Sequence, residues 1–270
     1  MAKFHKPKPS QGQSDTNTLV GFHAVTSAIK AAPQNIEWLR VDEKSHNKRL
    51  KELLAQASRA GIEIINATHA ELDRMAGQER HQGVVAGFNA NNIVDEGQIA
   101  ALLEDISGDA LILILDGVQD PHNLGACLRT AEAAGADFVV ICKDRATGIT
   151  PVVRRAASGA AETLPIVQVT NLASTLRDLK QRGVWLAGTS DAATQSMYET
   201  DLTGPLALVM GSEGSGMRRL TGDLCDYLIS IPMSGMVESL NVSVATGVCL
   251  YEINRQRHAR AQSRLKATFD

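Results

Sequence analysis

Residues 111–129 read Leu111-Ile-Leu-Ile-Leu-Asp-Gly-Val-Gln-Asp-Pro-His-Asn-Leu-Gly-Ala-Cys-Leu-Arg129 and set the pattern for the rest of the chain. Five apolar residues lead into a turn rich in Asp, Gly and Pro, and a helical pattern of apolar residues follows. A continuous apolar run of this length is typical of a strand that is buried on both faces of a parallel sheet. The sequence therefore predicts a strand over residues 111–115 and a helix over residues 124–134.

The same alternation continues towards the C-terminus. Further apolar runs predict strands over residues 138–142, 166–169, 184–187, 206–210 and 227–231. Helical patterns separate them at residues 152–159, 172–182 and around 218–220, and a last helix is predicted from about 242 to 257. Strands that alternate with helices indicate an α/β fold, with a parallel sheet covered on both faces.

A smaller α/β segment precedes this sheet. It has predicted helices over residues 21–31, 46–60 and 68–75, and predicted strands over residues 36–41, 62–65 and 83–88. Thr68 and Glu71 fit a capping box at the start of the third helix. The polar stretch 89–97 is interpreted as an interdomain linker, and a helix near 98–106 follows it. The predicted domains are a disordered basic tail (1–18), a small α/β domain (19–90), a linker with a leading helix (91–108), the main domain (109–257) and a basic C-terminal tail (258–270).

Composition excludes several classes of protein. The 270 residues are 44% hydrophobic and carry a formal net charge of −3, which is typical of a globular protein. No apolar run reaches the roughly 18–20 residues of a membrane span, and residues 1–18 lack the apolar core of a signal peptide. The four cysteines lie far apart, so we interpret them as buried, reduced thiols of a cytoplasmic protein. The seven histidines show no metal-ligand spacing, so no metal site is predicted.

Polar side chains follow three of the predicted strands, where an open α/β sheet binds ligands. The first group includes Asn123, which can cap a helix or bind a ligand, and Arg129, which can be solvated or functional. The second is the glycine-rich loop Gly211-Ser-Glu-Gly-Ser-Gly216, in which Glu213 would repel a phosphate. The third precedes the last helix and contains Ser239 and Asn241, which can cap that helix or line a binding loop.

These three segments together resemble the SpoU branch of the SPOUT RNA methyltransferases, often called the TrmH family. Residues 115–129, 208–218 and 231–247 look like its first, second and third motifs, in the family's order and spacing. The likeness extends from Val20 to Glu252 and is strongest to members that methylate a guanosine 2′-hydroxyl of 23S rRNA. It implies a trefoil-knotted methyltransferase domain, an obligate homodimer and a small RNA-binding domain before the knot.

The resemblance also implies S-adenosylmethionine as cofactor and assigns the site residues. The positions that match the cofactor site are Thr189, Gly211, Ile231, Met233 and Leu240. The positions that match the catalytic site are Asn123, Arg129, Glu213, Ser239 and Asn241. Because a guanidinium stays protonated in proteins, we expect Arg129 to bind a phosphate and stabilise the developing alkoxide, while a phosphate oxygen or water takes the proton. Glu213 would orient Arg129 or Asn123 through a charge-assisted hydrogen bond.

The substrate is expected to be 23S rRNA or an assembling large ribosomal subunit, with no membrane partner. Four basic residues near the predicted site are candidate phosphate contacts: Lys143, Arg145, Arg154 and Arg155. A tRNA ribose methyltransferase of the same branch and a non-catalytic RNA-binding protein that keeps the fold are the alternatives. A dinucleotide-dependent oxidoreductase would need a GxGxxG after the first strand of the sheet, and the sequence has none there.

Overall fold

The computed structural model describes residues 17–43, 48–77, 80–88 and 92–269. The predicted disordered tail lies outside this part of the chain up to residue 16. The chain forms two compact units, one from residues 17–25 and 33–90 and the other from residues 26–32 and 92–269. Helix α1 contributes residues to both units.

The first unit is built on a four-stranded sheet. Its elements are β1 (Asn17–Val20), α1 (Phe22–Ala31), a 3-10 turn (Pro33–Asn35), β2 (Ile36–Asp42), α2 (Lys48–Arg59), β3 (Glu63–Ala67), α3 (His69–Ala76) and β4 (Val84–Phe88). The strand order is β1-β4-β2-β3, with β2 and β3 parallel and the other pairs antiparallel. The predicted capping box of α3 is confirmed, because Glu71 N–H donates to Thr68 Oγ1 and Thr68 N–H donates to Glu71 Oε2.

Trp38 fixes the pairing of the two central strands of this unit. It lies opposite Gly87 on β4, and a Cβ on Gly87 would stand 2.2 Å from the indole ring. Only glycine leaves room for the ring to lie flat on the neighbouring strand. Arg40 lies over the ring, with its guanidinium carbon 5.3 Å from the ring centroid.

The second unit is built on an eight-stranded parallel sheet, which confirms the predicted fold class. Its elements are β5 (Ile93–Asp95), a 3-10 turn (Glu96–Gln98), α4 (Ile99–Glu104), β6 (Leu111–Asp116), α5 (Pro121–Ala133), β7 (Phe138–Cys142), α6 (Pro151–Ala157), α7 (Ala160–Thr163), β8 (Ile166–Val169), α8 (Leu172–Gln181), β9 (Trp185–Thr189), β10 (Gln195–Ser196), β11 (Leu206–Gly211), α9 (Arg219–Leu224), β12 (Tyr227–Ser230) and α10 (Val242–Phe269). The strand order is β10-β12-β9-β11-β6-β7-β8-β5. The trefoil knot stays a prediction.

Strand β6 shows why this sequence folds into a covered sheet. Leu111, Leu113 and Leu115 point into one core, which α5, α6 and α10 help to build. Ile112 and Ile114 point into a second core on the other face, closed by α4 and α8. Each of these side chains is at most 2% exposed, and full burial stabilises the fold by about 1.5–3 kcal/mol per residue.

Three predicted boundaries are wrong. Strand β1 begins at Asn17, inside the predicted tail, because residues 17–20 pair with β4. Strand β5 lies inside the predicted linker and pairs in parallel with β8 at the edge of the large sheet. Helix α10, predicted to end near residue 257, continues to Phe269, since no glycine or proline interrupts its second half.

Candidate active site

The candidate site lies where the strand order reverses, at the carboxyl ends of β6 and β11. These two neighbours align Asp116 with Gly211 at their last residues. From β6 the chain proceeds outward to β7 and β8, whereas β11 and β9 lie on its other side. Such a switch point leaves a crevice in which open α/β sheets bind their ligands.

Three side chains from three separate segments, one of them helix α5, form a continuous hydrogen-bonded chain in this crevice. Asn241 Nδ2 donates to Asn123 Oδ1 over 3.0 Å, and Asn123 Nδ2 donates to Glu213 Oε1. The chain begins at Ser243, whose main-chain N–H and Oγ lie 2.9 and 2.6 Å from Asn241 Oδ1. Because every acceptor in the chain is an oxygen and every donor an N–H or O–H, both amides have one defined orientation.

The helix caps explain why both asparagines are available to this chain. Helix α5 is capped by Asp120, whose Oδ1 accepts from His122 N–H at 2.7 Å, so Asn123 lies inside the helix with its side chain free of capping. Asn241 instead caps α10 through its Oδ1 and still uses its Nδ2 for Asn123. The capping role that the sequence left open for Asn241 is therefore confirmed, and its role in a binding loop stays a prediction.

The glycine-rich loop is a tight hairpin that holds Glu213 at its exposed tip. Ser212 and Gly216 exchange two main-chain hydrogen bonds of 3.1 and 3.0 Å. A Cβ on Gly211 would lie 2.3 Å from the main chain of Gly216, so the loop folds back only because residue 211 is glycine. Gly214 takes a φ of 79°, which L side chains rarely adopt. The local sequence therefore fixes where the carboxylate stands.

Arg129 lies on α5 with an exposed side chain, and its Nη1 donates to Ser158 Oγ at 3.3 Å. Of the two partners considered for Glu213, the structure places Asn123 against the carboxylate. The guanidinium of Arg129 contacts Ser158 and is not a member of the hydrogen-bonded chain.

The residues predicted to hold the cofactor border the same edge of the sheet. Thr189 ends β9 and its Oγ1 donates to the carbonyl of Val209 at 3.4 Å. Ile231, Met233 and Leu240 are half-buried at the two ends of the loop that connects β12 to α10, and Ser239 is exposed in that loop. No main-chain hydrogen bond joins residues 232–240 to the rest of the described chain, which leaves their C=O groups, and the N–H groups of all but Pro232, open to a ligand.

Sequence reasoning missed an ion pair that fastens the glycine-rich loop to β6. The fully buried carboxylate of Asp116 accepts from Arg218 N–H at 3.0 Å and from Arg218 Nε at 2.5 Å. This hydrogen bond raises the pKa of Arg218. The two residues are 102 positions apart in the sequence, so their contact cannot be read from spacing. The sequence signal that could have revealed the pair is Asp116 itself, because a charge at the end of a buried strand requires a partner.

The predicted RNA contacts divide into two groups. Lys143, Arg145 and Arg155 have exposed side chains beyond β7 and on α6. The prediction for Arg154 is wrong in this structure: its side chain is 5% exposed, and its Nη1 lies 2.8 Å from Oε1 of the buried Glu162. The helical periodicity of α6 turns Arg154 inward and Arg155 outward, which adjacency in the sequence does not reveal.

A histidine cluster in the first unit has the composition of a metal site, but the tautomer of its buried histidine does not suit metal binding. The ligand atoms of His69, Asp73 and His81 lie within 4.8 Å of one another. Gly83 N–H donates to His81 Nδ1 at 3.0 Å, so the ring proton is on Nε2, which lies 3.1 Å from Asp73 Oδ1. A metal bound to Nε2 would require the ring proton to move to Nδ1. That proton would then face the Gly83 N–H, which is also a donor, and the hydrogen bond would be lost. We therefore interpret the cluster as structural.

Comparison with known proteins places this parallel sheet and its polar segments among the RNA methyltransferases of the SpoU class. The profile of the SpoU rRNA Methylase family matches residues 110–251, and that of the RNA 2′-O ribose methyltransferase substrate binding domain matches residues 18–94. The chain belongs to the SpoU rRNA methylase family.

Individual relatives extend this result. The chain is 53% identical over 247 residues to the 23S rRNA (guanosine-2′-O-)-methyltransferase RlmB of Ralstonia nicotianae, covering 90% of this chain and 97% of the relative. The SpoU methyltransferase AviRb of Streptomyces viridochromogenes, solved with the cofactor AdoMet, is similar with a TM-score of 0.74 and 25% identity over 90% of each chain. The A. aeolicus TrmH/SpoU tRNA modifying enzyme has a TM-score of 0.52 and 32% identity over 62% of this chain and 84% of its own.

Proposed function

We propose that this protein transfers a methyl group from S-adenosylmethionine to the ribose 2′-hydroxyl of a guanosine in 23S rRNA. The observation that carries the proposal is the hydrogen-bonded chain Asn241–Asn123–Glu213, which joins three separate segments at one switch point. Full-length likeness to the Ralstonia nicotianae enzyme supports the choice of reaction and of RNA.

The residues at the sheet edge fit the proposed cofactor. The open main-chain groups of residues 232–240 suit the polar edges of an adenosine, and the half-buried side chains of Ile231, Met233 and Leu240 suit its flat ring. Gly211 lets the main chain approach closely, and the carboxylate of Glu213 favours a cationic ligand over a phosphate. When bound, S-adenosylmethionine supplies an electrophilic methyl group on a sulfonium.

The side chains of the site would supply positioning and charge, which is what methyl transfer needs from a protein. The protonated guanidinium of Arg129 binds the neighbouring RNA phosphate and stabilises negative charge at the ribose O2′. Asn123 and Asn241 each keep one amide N–H outside the hydrogen-bonded chain, and these donors, with the hydroxyl of Ser239, hold the ribose. The proton of the 2′-hydroxyl goes to a phosphate oxygen or water.

RNA would be held by both units. Lys143, Arg145 and Arg155 provide exposed cations beside the site, in a unit whose residues are otherwise acidic on balance. Such contacts with phosphate position an RNA without reading its sequence. The first unit, which the substrate binding profile matches, would contribute the remaining contacts.

A homodimer is part of the proposal. Val244 and Tyr251 lie seven residues apart on α10, and both are more than half exposed although they are large and apolar. Two turns of helix place them on one face, and an exposed apolar face of this kind is typical of an interface between protein chains. Within the described residues, no helix combines the length and apolarity that crossing a membrane requires. An rRNA substrate would place the enzyme in the cytoplasm.

A tRNA ribose methyltransferase is the nearest alternative. The tRNA modifying enzyme of A. aeolicus aligns with 62% of this chain, so much of the chain has no counterpart in that alignment. The substrate binding profile at residues 18–94 favours rRNA by analogy with the rRNA-modifying relatives. A non-catalytic RNA-binding protein is disfavoured, because Asn123, Arg129, Glu213 and Asn241 are all present.

The proposal is tested by transfer of tritiated methyl groups from S-adenosylmethionine to purified 23S rRNA, 16S rRNA and tRNA from a strain that lacks the gene. We expect alkali-resistant label in 23S rRNA alone and none with the Arg129→Ala variant. Label in tRNA alone would replace the rRNA substrate with the alternative. Cofactor binding without label on any RNA or on precursor large subunits would overturn the enzymatic proposal.

A further inference from the structure

Two features of the segment that contacts Arg129 have no role in the proposed reaction. One is Ser158, a non-glycine residue with left-handed backbone angles, and the other is the buried ion pair of Arg154 with Glu162. Strained backbone and buried charge are both costly, and such features concentrate at functional sites. All three residues belong to the segment that forms α6, α7 and the turn between them.

Close packing of α5 against α6 brings Ser158 to Arg129. A Cβ on Gly125 would stand 2.4 Å from Ala156 Cβ and 2.6 Å from the carbonyl oxygen of Val153, so the helices touch where α5 has no side chain. Arg129 lies one turn beyond Gly125 on the same helix, beside the end of α6. Its Nη1 donates to Ser158 Oγ across 3.3 Å.

The backbone at Ser158 is held in a conformation that favours other residues. Ser158 follows α6 as its C-cap with φ 52° and ψ 38°. Glycine, and after it asparagine, is the usual choice for a left-handed helix C-terminus. Serine at this position adopts an unfavourable backbone conformation that glycine would adopt without strain. It provides a hydroxyl that glycine lacks, and that hydroxyl faces the guanidinium of Arg129.

The buried ion pair fixes the turn on both sides of Ser158. Arg154 lies on α6, four residues before Ser158, and Glu162 lies on α7, four residues after it. Their side chains are 5% and 2% exposed and join over 2.8 Å. Burial raises the pKa of Glu162, and the bond to Arg154 opposes that rise. The pair thus ties α6 to α7 across the residue that contacts Arg129.

We propose that Ser158 is a positioning residue for Arg129, and that the Arg154–Glu162 pair holds the turn that presents its hydroxyl. The hydroxyl limits the rotamers of an otherwise solvent-exposed arginine, so that the guanidinium already faces the place of the substrate phosphate when RNA binds. This inference rests on the proposed function for the role of Arg129 and adds the group that orients it.

The test compares Ser158→Gly with Ser158→Asn. Glycine suits the left-handed backbone and removes the hydroxyl, whereas asparagine tolerates the same backbone and supplies Oδ1 as a new acceptor for Arg129. We expect Ser158→Gly to lower kcat for rRNA methylation about tenfold with the Kd of S-adenosylmethionine unchanged, a loss typical of a misplaced group. Ser158→Asn should keep kcat within about threefold of the native enzyme.

A second readout does not depend on methyl transfer. The ¹⁵N relaxation of the Arg129 Nε–H group, assigned from its absence in Arg129→Lys, reports whether the side chain is ordered. We expect order in the native protein and in Ser158→Asn, and fast motion in Ser158→Gly. Equal mobility and equal kcat in Ser158→Gly and the native protein would overturn the inference. If the native protein methylates no RNA, the proposed function fails while the relaxation result still decides whether Ser158 positions Arg129.

Discussion

At the residue scale, the orientation of two side-chain amides determines what the site can bind. Ser243 donates twice to Asn241 Oδ1, which directs Asn241 Nδ2 towards Asn123 and, in turn, Asn123 Nδ2 towards Glu213. Each amide keeps one N–H for a ligand oxygen, and Glu213 keeps one carboxylate oxygen for a cation. The site therefore offers two donors and one anionic acceptor in fixed directions, which is the arrangement that the proposed ribose and sulfonium require.

The Asp116–Arg218 ion pair joins the glycine-rich loop to β6 and can be tested by substitution. Asp116→Asn removes the charge that holds Arg218 and so loosens the loop 211–218. We expect S-adenosylmethionine to bind about tenfold more weakly, because a hydrogen bond to a charged group contributes about 1.5 kcal/mol. Calorimetric titration of the cofactor measures the change.

The matched control for that variant is Asp223→Asn. Asp223 is exposed on α9 and stands 3.7 Å from Arg219, a surface pair of the kind that contributes little. We expect native cofactor affinity in this control. Native affinity in Asp116→Asn as well would show that the ion pair does not order the loop.

Much of the site could be read from the sequence because its residues follow buried strands. Asn123, Glu213 and Asn241 were placed by the rule that ligands bind beyond the carboxyl ends of parallel strands, together with the family resemblance. The orientation of Arg154 and the partner of Asp116 could not be read in the same way. Arg154 required the helical phase of α6, and Asp116 required a contact with a residue 102 positions away.

At the element scale, the helix pair α5 and α6 supports Arg129, the proposed catalytic arginine. The contact depends on Gly125, since its missing side chain lets Val153 and Ala156 approach the axis of α5. Long apolar strands such as β6 were predictable from their burial on both faces. The edge strands β5 and β10 were not, because they contain three and two residues and show no apolar run.

Substitution of Gly125 tests this packing, and substitution of Gly222 is the matched control. The two changes should shift the free energy of unfolding in opposite directions. Gly125→Ala should lower the free energy of unfolding by about 1–3 kcal/mol, because the new methyl group overlaps Ala156 Cβ and Val153 O. Gly222→Ala on α9 meets no atom within 4 Å and should raise it by about 0.5–1 kcal/mol through helix propensity. Urea denaturation followed by circular dichroism measures both. A neutral Gly125→Ala would mean that α5 and α6 separate without cost.

At the scale of the whole molecule, the second unit carries the sheet, the candidate site and an uncovered face of α10. Val244 and Tyr251 are 52% and 55% exposed, although they lie on the part of α10 that buries Cys249, Leu250 and Ile253 in the core. A second copy of the chain is the occupant that the family resemblance implies. Neither periodicity nor composition could distinguish this face from an ordinary surface, because a single exposed valine or tyrosine is common on protein surfaces.

The dimer prediction follows from that face. Sedimentation equilibrium should give twice the chain mass of 28.9 kDa. The double variant Val244→Glu with Tyr251→Glu should sediment as a monomer, since it buries two charges without partners at the interface. Arg177→Glu, on the exposed side of α8 across the sheet, should remain dimeric. A native protein of single-chain mass at micromolar concentration would contradict the prediction.

The central claim is that the Asn241–Asn123–Glu213 chain and Arg129 form the catalytic site of a 23S rRNA guanosine 2′-O-methyltransferase. The most direct measurement maps 2′-O-methylation across the 23S rRNA of a strain that lacks the gene, before and after return of the native gene or its Arg129→Ala variant. We predict that one guanosine regains its methyl group with the native gene and not with the variant. A 23S rRNA whose methylation does not change when the native gene is returned, or that is restored equally by Arg129→Ala, would contradict the claim.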